Sequence, residues 1–208
     1  SNLLIAGQHR EAAYALAACS IISLCARFEP GCLDIAVMMS GERDEFRKRF
    51  EYLADTLPHG IDIVMPKQFP ELFERAAEHW DQNQEGGSPS DPFFLIAFGI
   101  QRMRTLRQDD DLMFSMDRDA GSPPSERFAE ILTEGPEANV HSIVWCDGLG
   151  SLNRTFSRRT MREFDMKILF QMSASDSSEL IDDTAANSLG LYGALLSVES
   201  EGVVEKFR

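Results

Sequence analysis

The 208-residue chain contains no Cys-x-x-Cys pair: Cys19, Cys25, Cys32 and Cys146 are scattered, most of them in apolar runs. That spacing argues against a zinc site or a disulfide framework, and for buried free thiols in a reducing compartment. No apolar run approaches the roughly 18 residues that span a bilayer, and the start carries no basic segment of the kind that opens a signal peptide. The expectation is a soluble, cytoplasmic domain with no membrane contact of its own. Positive charge is also scarce. Lys and Arg number 20 against 34 Asp and Glu, a net charge of −14, so the bulk surface is unsuited to a phosphate backbone, which calls for clustered cations. Any nucleic-acid role would have to be local or supplied by a partner.

What is present is apolar residue enough for a full core, 43% of the chain, with 26% charged. This predicts a single globular domain over residues 1–208. Leu3–Ala6 reads as a strand, and 11–27 as a helix apolar almost all round and so buried on most faces. A β-rich run at 33–39 follows the Pro30-Gly31 break; 41–57 reads as an amphipathic helix with Phe46, Phe50, Leu53 and Leu57 on one side. A third strand at 61–65 and a helix at 69–80 come next. A polar linker at 82–92 then leads into FFLIAFGI at 93–100, the most apolar run and the best candidate for a central strand. Residues 107–126 read as a mobile insert, with Asp109, Asp110 and Asp111 a solvated loop rather than a metal site. Beyond it lie a helix at 128–132, strands at 141–146 and 166–172, and a hairpin of Ala194–Val198 with Val203–Phe207.

Strands separated by helices predict an α/β fold of three layers, with a mainly parallel central sheet, helices on both faces and a terminal β-hairpin. Ligands in such sheets bind at the carboxyl ends of the strands, which puts Gly7, Gly99 and Asp147 along one edge. The chain is in strand almost from its first residue and stops within GVVEKFR, as expected of a piece of a longer polypeptide.

LLIAGQHREAAYA has the layout of a phosphate-binding loop, a short strand meeting a glycine and then a helix, without its chemistry. A working loop follows GxxxxGK[ST]: glycines let backbone N–H groups face the phosphates, the lysine reaches the β/γ oxygens, and the hydroxyl holds Mg²⁺. Aligned from Gly7 through Gln8, His9, Arg10 and Glu11, the second glycine becomes Ala12, the lysine Ala13 and the hydroxyl residue Tyr14. Glu11 would repel a triphosphate but suits the first turn of a helix. The stretch therefore reads as an ordinary helix start, with His9 and Arg10 exposed on the turn; the other reading is that those two side chains still meet a phosphate.

The tail carries a resemblance. AlaAsnValHis at 138–141, WCD at 145–147, FQMSASDSSELIDD at 170–183, SLG at 188–190 and YGALL at 192–196 follow one another in an order that resembles the second half of the motor domain of FtsK/SpoIIIE DNA-pumping ATPases. The resemblance implies a RecA-like P-loop ATPase domain that uses ATP and Mg²⁺ and works beside other ATPase domains, of its own chain or of ring neighbours. It implies transport of DNA, or of protein in secretion relatives. In that family the central strand ends in Asp-Glu, for Mg²⁺ and the attacking water; here Phe98, Gly99, Ile100 or Gln101 stands there. The family's sensor glutamine falls at Asp147, and the arginine that precedes the family's AGIH segment, matched here by AlaAsnValHis at 138–141, falls near Pro136 and Glu137.

These losses together predict a degenerate copy, with no catalytic residues, no metal and no cofactor of its own, in a structural or regulatory role. The alternatives are an ATPase that still turns over with substituted residues, and a module for a small anion in the old pocket. Arg154, Arg158, Arg159 and Arg162 form the densest basic patch. They could touch a neighbouring nucleotide or DNA, or be a solvated face paired with local acids. His141 is expected to pack at the start of its strand, and the methionines to fill the core.

Overall fold

A computed structural model describes residues 1–41, 44–86, 91–108 and 122–208, the stretch 80–86 through its backbone alone. Eight strands, β1 (Leu3–Ala6), β2 (Asp34–Met38), β3 (Ile61–Val64), β4 (Phe93–Phe98), β5 (Val140–Cys146), β6 (Met166–Phe170), β7 (Ala194–Val198) and β8 (Val203–Phe207), form one sheet in the order β3-β2-β4-β5-β1-β6-β7-β8. The first six run parallel, and β7 and β8 close the sheet as an antiparallel hairpin. Strand β1 lies between β5 and β6, with Leu3 opposite both Ile143 and Met166.

Alternation along the strands divides the core into two layers. Leu4 and Ala6 of β1 face a cluster with Leu95, Val144 and Leu169, covered by α3 (Phe69–Gly86), α4 (Pro124–Glu134), α5 (Leu149–Thr155) and α7 (Ala174–Ile181). Ile5 faces the opposite layer with Val37, Ile96 and Ile168, covered by α1 (Arg10–Arg27) and α2 (Glu45–Thr56). A one-turn helix, α6 (Arg158–Met161), precedes β6. Helices thus lie on both faces of a mainly parallel sheet, as the pattern predicts.

Several local expectations are corrected. Helix α1 buries one stripe, Ala13, Ala17, Ile21 and Cys25, while Ala15, Cys19 and Ile22 face outward; its alanines hold it helical through propensity, not through burial on every side. Helix α3 continues to Gly86, through much of the expected linker, because Gln and Glu are polar yet favour helix. Residues 87–90 and 109–121, including Asp109, Asp110 and Asp111, lie outside the described residues. At the margins of the expected insert, Arg107 donates from its guanidinium to the Gln101 carbonyl at 2.9 Å, and Pro124 already starts α4. All four cysteines are free, but Cys19 and Cys32 are exposed. Helices α5 and α7 are 7 and 8 residues long, too short to show a clear apolar period in the sequence.

Candidate functional site

The carboxyl ends of β1, β4 and β5 are fastened together by two main-chain bonds and one from a side chain. The Gly7 N–H donates to the Cys146 carbonyl at 2.9 Å, the Gly99 N–H donates to the Trp145 carbonyl at 3.1 Å, and the Trp145 indole N–H donates to the Gly7 carbonyl at 3.1 Å. Gly7 has φ of 128°, and a Cβ there would lie 2.8 Å from Cβ of Phe170. Glycine at this turn is required by the close approach of β6 as well as by backbone conformation. Gly99 sits at φ of 87°, its missing Cβ 3.3 Å from the Trp145 ring.

After Gly7 the chain enters α1 through His9, whose Nδ1 lies 3.4 Å from the Ala12 N–H as the cap of the helix. The His9 ring also stands 5.9 Å from Phe170 and 6.0 Å from Tyr192. Gln8 is exposed and Glu11 lies exposed in the first turn. Arg10 departs from the expectation of a free turn residue. Its guanidinium pairs with the carboxylate of Asp44, a side chain 4% exposed, and lies 4.3 Å over the Phe46 ring. The same Asp44 oxygen accepts from Arg102 at 3.1 Å, while the other caps α2 by accepting from the Phe46 N–H at 3.0 Å. Asp44 thus satisfies two guanidiniums and a helix end.

The side chains that stand where a phosphate loop carries its lysine and hydroxyl are turned into the core. Ala13 is fully buried. The Tyr14 ring lies 4.9 Å from Phe50 and 5.4 Å from Phe46, and edge-on to Phe98 at 6.4 Å. Phe98 in turn packs 4.6 Å from Trp145. Edge and tilted contacts of this kind bind an aromatic cluster firmly without any polar group. Ile100, in the turn after β4, is buried. Asp147 follows β5, half-buried, with the Cys146 thiol 3.8 Å from its carboxylate. Burial pushes that thiol up to about 12, with the neighbouring Asp147 charge adding to the rise.

The four arginines of the basic patch come from two helices. Arg154 ends α5 and donates to the Ser151 hydroxyl at 3.1 Å, while Arg158, Arg159 and Arg162 belong to the separate turn of α6 and its cap. Arg158 and Arg162 line a cavity on the opposite sheet face from Tyr14. His141 packs against Phe94 at 5.2 Å as β5 begins. Among the described residues no group of His, Cys, Asp and Glu is placed to hold a metal ion, and no helix is long and apolar enough to cross a membrane. Sequence reasoning missed Asp44 and Arg102. An Asp directly ahead of an amphipathic helix is a cap signal that could have pointed to Asp44; nothing local pairs Arg10 with residues 34 and 92 positions on.

The fold, a mainly parallel sheet with helices on both faces, is shared with solved structures of ATPase and NTPase domains. Three of them are similar over almost the whole chain: the cytoplasmic domain of the Thermomonospora curvata type VII secretion ATPase EccC, with a TM-score of 0.65, 13% identity, and coverage of 100% of this chain and 25% of that one; the conjugation coupling protein TcpA of pCW3, with ATPgS, at 0.65, 11% identity, and 99% and 59% coverage; and the genome packaging NTPase of Sulfolobus turreted icosahedral virus 2, in complex with ATP-gammaS, at 0.59, 10% identity, and 100% and 96% coverage. The chain therefore spans about a quarter of the secretion ATPase. No protein-family model and no curated protein matches it.

Proposed function

We propose that the chain is a catalytically degenerate FtsK/SpoIIIE-like ATPase domain with a structural or regulatory role in a larger translocase, of DNA or of secreted protein. One observation carries the reading: the only cation of the β1 turn, Arg10, is already neutralised by Asp44, beside a cluster of aromatic rings where the phosphate chemistry belongs. Phosphoryl transfer is positioning and charge stabilisation. Residues able to do either, a lysine and hydroxyl after Gly7 and carboxylates after Phe98, are replaced by Ala13, Tyr14, Gly99 and Ile100. ATP with Mg²⁺ does not fit this set, so no catalytic step is assigned. The partners on this reading are other ATPase domains, of the same chain or of ring neighbours; support comes from similar structures that hold more than one ATPase domain, such as ATPases 2 and 3 of Thermomonospora curvata EccC.

The test is calorimetric titration with Mg·ATP together with a turnover assay. The expected result is no saturable heat and no phosphate release above background. Micromolar binding with measurable hydrolysis establishes the opposite reading, an active motor domain with substituted residues.

A further inference from the structure

We draw no further inference here: the strongest candidate, the uncharged outward face of α1 from Ala12 to Ala26 with the apolar cleft of about 260 Å³ beside it at the amino ends of β1, β4 and β6, is an unpartnered apolar face, and nothing in the structure shows what covers it.

Discussion

The guanidinium of Arg10 and the carboxylate of Asp44 are bound to each other across the carboxyl edge of the sheet, joining the first turn of α1 to the cap of α2. A second guanidinium, that of Arg102 after β4, shares the same oxygen. The three residues come from the ends of separate elements, so the pair fixes how α1 and α2 sit on the strands as well as neutralising the loop.

Replacing Asp44 should show both roles. Asp44→Ala removes the counter-ion of Arg10 and the cap of α2, and is expected to cost about 2–3 kcal/mol, a buried-pair loss reduced because the Arg10 side chain is 28% exposed. Asp44→Ser restores the cap alone and should recover about 1 kcal/mol of it. Urea unfolding of the two variants measures the difference; equal losses would mean that the cap contributes nothing.

The turn after β1 makes a second prediction. Gly7→Ala must place a methyl 2.8 Å from Cβ of Phe170 in a backbone conformation that side chains rarely adopt. A loss of about 2–4 kcal/mol is expected from the combined strain and overpacking. Gly99→Ala meets only the edge of the Trp145 ring at 3.3 Å, and about 1–2 kcal/mol is expected there. The order of the two thermal midpoints checks the assignment.

The order of elements was legible because it is written in runs: LLIA, DIAVM, FFLIAF and HSIVWC are too apolar and too short to be anything but buried strands. Gly7 and Gly99 were legible as strand ends for the same reason. The content of the site was not. Whether Arg10 faces a ligand or Asp44 depends on where the cap of α2 comes to lie beside the start of α1, and whether four arginines share one helix depends on the interruption at Ser157, which caps a new helix, α6. Lys167, buried and paired with Glu199, was hidden differently: a lone charge inside MKILF looks like the exposed face of an edge strand, yet β6 pairs on both sides.

Asn2 offers a third test, of a polar core residue beside the first strand. Its amide donates to the carbonyls of Leu132 at 2.7 Å and Glu163 at 3.1 Å and accepts from the Ser142 N–H at 2.9 Å, all with the side chain buried. Asn2→Ala strands these main-chain groups, and a loss of about 2–4 kcal/mol is expected. Amide hydrogen exchange should report it at Ser142; an unprotected Ser142 in the wild-type chain would sink the account.

His141 carries a pH signature. Burial, and after it the positive charge of the Ser1 amino group, pull its imidazole down to about 4 from the ordinary 6.5. The folded chain therefore keeps His141 neutral down to about pH 4, while the unfolded chain protonates it near 6.5. Between those values the unfolded state binds more protons, so this residue's contribution is complete above about pH 6.5 and is lost as the pH falls toward 4. Because the ring is only half-buried, solvent reduces the loss to about 1–2 kcal/mol. The measurement is a difference between two chains, so that contributions common to both cancel. Urea unfolding of the wild type and of His141→Gln at pH 7 and pH 4.5 should show the wild type losing more stability on acidification, with the two chains converging at the lower pH. An equal loss in both would mean that His141 is already solvated in the native state and that its packing against Phe94 does not exclude the proton.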